Sequence, residues 1–118
     1  LCATMKIYEQ IPLLAHELAH TYCDGKWIAL GGGGYDIWRV VPRAWAQIWN
    51  VMKTGAISQG SIDTSWLTKW QKESPVKLPA YWHDPDEVIP EIPRKAEISE
   101  KNEQMLLSTL KYAKAVKE

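Results

Sequence analysis

The sequence predicts an α/β fold in which a buried strand runs into a glycine loop and then into a helix. Residues 27–30, Trp-Ile-Ala-Leu, are a short apolar run typical of a parallel strand that is buried on both faces. Four consecutive glycines, Gly31 to Gly34, separate this run from Tyr35. Glycine has no β-carbon, so such a loop lets the main chain come very close to a ligand. Because open α/β sheets bind ligands at the carboxyl ends of their strands, this loop is the predicted functional site.

Composition narrows the range of partners. The 118 residues suffice for one small domain, and 14 basic against 14 acidic side chains give no net field that would attract nucleic acid or an anionic membrane. No stretch approaches the roughly 20 apolar residues of a membrane span, and the N-terminus does not resemble a signal peptide. Two cysteines, Cys2 and Cys23, are typical of a reducing compartment rather than of a disulfide scaffold. We therefore expect a cytoplasmic protein.

Helical periodicity is visible on both sides of the predicted strand. Residues 9–22 are expected to form an amphipathic helix that ends at Asp24 and Gly25. Residues 37–53 are expected to form a second helix with Asp36 as its N-cap, and Pro42 should kink this helix or mark its true start. The faces predicted to be buried contain Ile7, Tyr8, Ile11, Leu14, Ala15, Leu18 and Tyr22 on the first helix, and Trp38, Val41, Trp45, Ile48, Trp49 and Met52 on the second.

The second half of the chain has a different character. A short helix is expected at residues 65–72, and prolines then punctuate an extended passage that ends before a last helix at residues 99–117. That last helix would dock on a larger body. The chain therefore divides into a core (1–55), a proline-rich covering segment (56–98) and a terminal helix (99–118).

The predicted strand lacks partners within the chain. A strand buried on both faces needs neighbouring strands to satisfy its backbone N–H and C=O groups, and the sequence supplies no other strand of this kind. We therefore expect residues 1–118 to be the C-terminal piece of a much larger α/β domain.

Residues 31–45 carry a family resemblance. The segment Gly-Gly-Gly-Gly-Tyr-Asp-Ile-Trp-Arg-Val-Val-Pro-Arg-Ala-Trp, preceded by the apolar run, resembles the Gly-Gly-Gly-Gly-Tyr segment of the histone deacetylase family. It is most similar to the bacterial acetoin utilization branch. The upstream helix, the proline-rich passage and the final helix match the C-terminal third of that family in order and length. The resemblance implies a three-layer α/β/α, arginase/deacetylase-like fold whose eight-stranded parallel sheet would supply the missing strands.

The resemblance also implies a chemistry. It points to a zinc-dependent amidohydrolase that removes acetyl groups from acetyl-lysine or from a small acetylated amine. Tyr35 matches the tyrosine that donates a hydrogen bond to the substrate carbonyl, and its phenol would stabilise the oxyanion formed when a zinc-activated water attacks. Gly32, Gly33 and Gly34 match the lining of the narrow acyl pocket. The zinc ligands and a histidine pair would lie upstream, in the remainder of the parent domain, so this chain alone should be inactive.

A rival motif lies on the first helix. His16-Glu17-Leu18-Ala19-His20 satisfies the zinc metallopeptidase pattern H-E-x-x-H, in which two histidines bind the metal and the glutamate activates water. We favour a chance match, because both histidines lie roughly opposite the apolar face and no third ligand is evident. Because a thiol can coordinate zinc, a weak metal site that includes Cys23 stays an open alternative. A third hypothesis is that the chain serves only as a packing or interaction module.

Other patterns carry weaker signals. Dinucleotide and phosphate loops are disfavoured, because Asp36 replaces the third glycine and no Gly-Lys-Ser/Thr follows. His83 and Asp84 precede a proline, which is more typical of a turn than of a proton-handling pair. Arg39 and Arg43, four residues apart, are expected to pair with acidic residues elsewhere in the domain rather than to clamp an anion.

Overall fold

The computed structural model describes residues 3–86 and 89–115. Cys2 and residues 116–117 of the predicted last helix lie outside the described residues. Four helices make up most of the structure: α1 (Lys6–Tyr22), α2 (Val41–Thr54), α3 (Thr64–Gln71) and α4 (Lys95–Ala115). No helix in the described part of the chain is long and apolar enough to cross a membrane.

The predicted strand at residues 27–30 does not form. Across the described residues, strand pairing is limited to one isolated antiparallel bridge between Ser61 and Tyr81. Ile28 and Leu30 are 82% and 85% exposed, whereas Trp27 and Ala29 are half-buried. The segment thus alternates in burial as a strand does but has no neighbour to bond with, which is the consequence expected when the other strands are absent.

Helix α1 packs on α2 through a face that is rotated by about 100° from the centre of the predicted one, and the predicted residues Tyr8 and Ala15 are half-buried at its edge. Met5, Pro12 and Ala19 are buried there, at spacings that place them on one side of the helix. The prediction of a buried apolar face was wrong for five of its residues, which are exposed: Ile7, Ile11, Leu14, Leu18 and Tyr22. Within the described chain no element covers the broad aliphatic face.

Helix α2 begins later than predicted, and Pro42 marks its start. Pro42 occupies the first turn, where its missing N–H needs no partner. Asp36 is not the N-cap of this helix; it caps the preceding turn, where its carboxylate accepts a hydrogen bond from the Arg39 backbone N–H at 2.9 Å. The predicted tryptophan stripe was also wrong as a buried face, since Trp45 and Trp49 are 41% and 67% exposed. The buried side of α2 instead contains Arg43, Ala44, Gln47 and Val51.

Two glutamine side chains fasten the covering segment. The amide of Gln47, fully buried on α2, exchanges two hydrogen bonds with the backbone of Ser58, at 2.8 and 2.7 Å. Gln71 at the end of α3 binds the Val76 carbonyl and the Leu78 N–H in the same way, both at 2.9 Å. These paired bonds satisfy the backbone of a passage that forms no regular structure of its own.

Helix α4 begins at Lys95, earlier than predicted, and packs on none of the other helices over its described length. A network of Arg94, Glu97 and Lys101 stabilises its first turns. The radius of gyration is 17.7 Å, well above the roughly 13–14 Å expected for a compact chain of this length. The fold therefore leaves large surfaces uncovered.

Candidate functional site

The glycine loop lines a cavity of about 330 Å³ between the two packed helices. Residues 30–36 form one wall, Tyr8 of α1 contributes from one side, and α2 contributes from the other. Tyr8 is half-buried. The loop therefore borders a cleft to which both helices contribute side chains.

The four glycines have different surroundings. Gly34 has a φ of +136°, which side chains rarely tolerate, and a β-carbon there would lie 3.2 Å from Cγ2 of Val41. A β-carbon on Gly31 would lie 3.2 Å from the ring of Trp45. At Gly32 no atom lies within 4 Å of that position. The loop thus needs glycine for its conformation at Gly34, whereas Gly32 faces open space.

Tyr35 stands at the end of the loop and is 94% exposed. A β-carbon on Gly33 would lie 3.5 Å from Cε2 and 3.6 Å from the hydroxyl of Tyr35, so the ring lies beside the glycine backbone. A phenol that was buried against Trp38 would not show this exposure. The hydroxyl is thus presented to the outside of the chain, beside the glycines that were predicted to accompany it.

The turn after Tyr35 is held by a charged pair. Nε of Arg39 donates to Oδ2 of Asp36 at 2.8 Å, and Nη2 of Arg39 lies 2.7 Å from the same oxygen. These hydrogen bonds lower the pKa of Asp36 below its ordinary value, against a smaller opposing effect of burial. The Asp36 carbonyl accepts from the N–H groups of Val40 and Val41, at 3.2 and 3.0 Å. The backbone that follows Tyr35 is therefore fixed on both its main-chain and side-chain sides.

Arg43 and Asp84 form a largely buried ion pair beneath this turn. Nη1 of Arg43 lies 2.9 Å from Oδ1 of Asp84, with 7% and 22% of the two side chains exposed. The prediction that Arg39 and Arg43 pair with acidic residues elsewhere in the domain is confirmed for Arg43, whereas Arg39 pairs with Asp36 in its own turn. Asp84 is turned toward Arg43 and the Met5 N–H, so the structure gives no support to a proton-handling pair with His83.

The sequence predicted neither the burial of this ion pair nor the identity of Asp84 as the partner of Arg43. Arg43 lies among tryptophans on α2, which is a weak signal of burial, but nothing in the local pattern identifies Asp84, 41 residues away, as its partner. Only the path of the covering segment brings the two together.

The two histidines of the H-E-x-x-H pattern lie side by side on α1. Their ring centroids are 4.5 Å apart, edge to face. His16 is half-buried against the end of α2, where its Nε2 lies 3.2 Å from the position of a β-carbon on Gly55, and its Nδ1 is buried without a hydrogen-bond partner. His20 is exposed and lies over Gly25. Both rings thus pack against glycines at helix ends.

The described residues do not fit a zinc ion. Across residues 3–86 and 89–115, no group of three or more histidine, cysteine, aspartate or glutamate side chains is placed to hold a metal. Cys23 is an exposed free thiol. A zinc site needs at least three protein ligands, so two adjacent histidines alone do not provide one.

Comparison with known proteins tests the family resemblance. The chain is 61% identical over 110 residues to the acetoin utilization protein AcuC of Bacillus subtilis, a match covering 93% of this chain and 28% of that protein. The chain is a relative of the acetoin utilization proteins. It is also 43% identical to AcuC of Staphylococcus xylosus over 94% of its length and 42% identical to AcuC of Staphylococcus aureus over 90%. No protein-family model and no solved structure matches it.

The matches confirm the resemblance drawn from the glycine segment. They are consistent with a C-terminal fragment of the acetoin utilization branch of the histone deacetylase family. The chain spans less than a third of the length of the curated relatives it matches. What the whole protein does is therefore a matter for proposal.

Proposed function

We propose that this chain is part of a zinc-dependent deacetylase in which Tyr35 polarises the scissile carbonyl of an acetylated amine. The observation that carries this proposal is the exposed Tyr35 phenol at the end of a glycine loop that lines a cavity. The similarity of the chain to acetoin utilization proteins supports it. The substrate would be acetyl-lysine or a small acetylated amine.

Tyr35 would act as a hydrogen-bond donor. As an amide carbon becomes tetrahedral, negative charge collects on its oxygen, and a phenol O–H held at hydrogen-bond distance stabilises that charge more than it stabilises the ground state. Removal of one such donor commonly lowers the rate by a factor on the order of 10²–10³. The fixed turn at Asp36 suits this role, because a donor contributes most when its position is set before the reaction.

The glycines would leave room for the acyl group. Gly32, Gly33 and Gly34 would line a narrow pocket in which any β-carbon takes up space needed by the substrate. The open space at Gly32 is compatible with this role, whereas the backbone conformation of Gly34 shows that this position also requires glycine for folding.

The rest of the site would come from residues outside this chain. Zinc is expected to be bound by the remainder of the parent protein, since the described residues offer no site for it. The accessible surface of 9937 Å² exceeds the roughly 6,500 Å² expected for a folded protein of 13.5 kDa, which fits a chain that packs against a larger body. We propose an arginase/deacetylase-like fold and a cytoplasmic location for that protein, and we expect the isolated chain to be inactive.

The proposal is tested in the longer protein that contains this chain. Hydrolysis of an acetyl-lysine peptide and of an acetylated polyamine is measured for the wild type and for Tyr35→Phe, together with bound zinc. The proposal predicts that Tyr35→Phe lowers kcat by a factor on the order of 10²–10³ and leaves the zinc content unchanged. Wild-type turnover in Tyr35→Phe, or no hydrolysis of any acetylated substrate by the wild type, would refute it.

A further inference from the structure

The guanidinium of Arg43 is a junction of four hydrogen bonds. Arg43 is 6% exposed. Its Nε donates to the Arg39 carbonyl at 2.7 Å, and its Nη1 donates to Asp84 at 2.9 Å and to the carbonyls of Tyr81 and His83 at 3.3 and 3.4 Å. A planar guanidinium can serve these acceptors at once, whereas an ammonium group in the same place cannot reach them all.

Asp84 extends the junction to the start of α1. While one carboxylate oxygen receives Arg43, the other accepts the Met5 backbone N–H at 2.8 Å. Met5 itself is 2% exposed. The ion pair therefore joins three segments that are distant in sequence: the entry to α1, the first turn of α2 and the covering segment at residues 81–84.

A continuous chain of hydrogen bonds leads from this junction to the residue beside Tyr35. Arg43 binds the carbonyl of Arg39, and Arg39 in turn binds the carboxylate of Asp36 through its backbone N–H and its side chain. Asp36 directly follows Tyr35. On the other side of Tyr35, Gly34 lies against Val41 in the first turn of α2. The backbone of Tyr35 is thus held from both sides by the part of α2 that Arg43 anchors.

We propose that Arg43 and Asp84 are positioning residues that set the location of the Tyr35 phenol through Arg39 and Asp36. This inference rests on the proposed function and extends it to two residues that touch no substrate. The links from Arg43 to Arg39 and from Arg39 to Asp36 connect this ion pair to the residue next to Tyr35. Loss of the junction should therefore affect the chemical step more than substrate binding.

The first test replaces Arg43 by lysine in the longer protein, which keeps the charge and removes the simultaneous bonds. Because a small misplacement of a catalytic group can lower the rate by up to about 100-fold, we expect kcat to fall about 10- to 100-fold, with KM and bound zinc unchanged. Asp84→Asn should act in the same direction and serves if Arg43→Lys does not fold. Arg94→Lys is the matched control, since Arg94 pairs with Glu97 at the exposed start of α4, and it should leave kcat unchanged.

The second test combines Arg43→Lys with Tyr35→Phe. If Arg43 acts through Tyr35, its substitution should lower kcat by less than twofold once the phenol O–H is gone, because coupled residues are not additive. Losses that multiply in the double variant, or a rise in KM with kcat unchanged, would overturn the positioning proposal and leave the proposed function standing. Wild-type turnover in Tyr35→Phe would instead refute the proposed function and the positioning proposal with it.

Discussion

The glycine loop and the histidine pair of α1 are two candidate sites built in opposite ways. The histidine pattern is complete in sequence, yet its rings pack against glycines and find no third metal ligand among the described residues. The glycine loop holds a single chemical group, the exposed Tyr35 phenol, and hydrogen bonds fix the turn that follows it. A motif that is complete by spacing thus lacks a metal-binding arrangement among the described residues, while the glycine loop presents an exposed hydrogen-bond donor.

The two regions also differ in what covers them. His16 packs against the end of α2, within the chain itself. Tyr35 and the residues before it lie on a surface that is open, next to an unpaired extended segment. Under the proposed function, residues outside this chain would cover this open surface.

After Tyr35 itself, the largest effect is expected at Gly34. Gly34→Ala in the longer protein places a side chain at a φ of +136° and 3.2 Å from Val41, which should destabilise the loop by about 1–3 kcal/mol. Displacement of the adjacent Tyr35 should lower kcat roughly 100-fold. Kinetics and thermal unfolding measure the two effects.

The matched control for Gly34 is Gly60→Ala. Gly60 also has positive φ, at +75°, but it has no atom within 4 Å of the β-carbon position and lies outside the loop. The Gly60→Ala variant should have a lower free energy of unfolding than the wild type and the same kcat. Equal kcat values for the two variants would show that the loop conformation does not matter for activity.

A smaller and more selective effect is expected at Gly32. Because Gly32→Ala meets no atom of this chain within 4 Å, stability should change by no more than about 0.5 kcal/mol. If Gly32 lines the acyl pocket, the methyl group should lower kcat/KM roughly 10-fold, as expected for overfilling a packed site. Unchanged kcat/KM with acetylated substrates would remove Gly32 from the pocket.

The smallest effect is expected at the histidine pair. His20 is exposed and outside the glycine cavity, so His20→Ala should change kcat by less than twofold and leave bound zinc unaltered. Metal analysis and kinetics of the longer protein provide the measurement. Loss of a stoichiometric zinc ion in this variant would favour the metallopeptidase hypothesis.

The helices were predictable because their signals are local. Periodicity and terminal residues predicted all four helices, and Pro42 marks the start of α2 as one of two predicted alternatives. The faces of α1 and α2 were not predictable in this way, because an apolar stripe shows which side needs covering and not which neighbour is present to cover it. Ile11 and Trp49 are exposed for that reason.

The candidate site was predictable only in part. Four glycines and a tyrosine after an apolar run predict a loop that approaches a ligand. The same segment carries the family resemblance, which similarity to acetoin utilization proteins confirms. The ion pair of Arg43 with Asp84 was beyond the reach of sequence patterns, since it depends on a covering segment that returns to α2 without regular structure. The roles of Tyr35 and of Gly32, Gly33 and Gly34 stay predictions.

The most direct test compares Tyr35→Phe and His20→Ala side by side in the longer protein, with kcat for an acetylated substrate and bound zinc measured in the same preparations. The account predicts a fall in kcat on the order of 10²–10³ for Tyr35→Phe, a change of less than twofold for His20→Ala, and unaltered zinc in both. Full activity in Tyr35→Phe together with zinc loss in His20→Ala would contradict it.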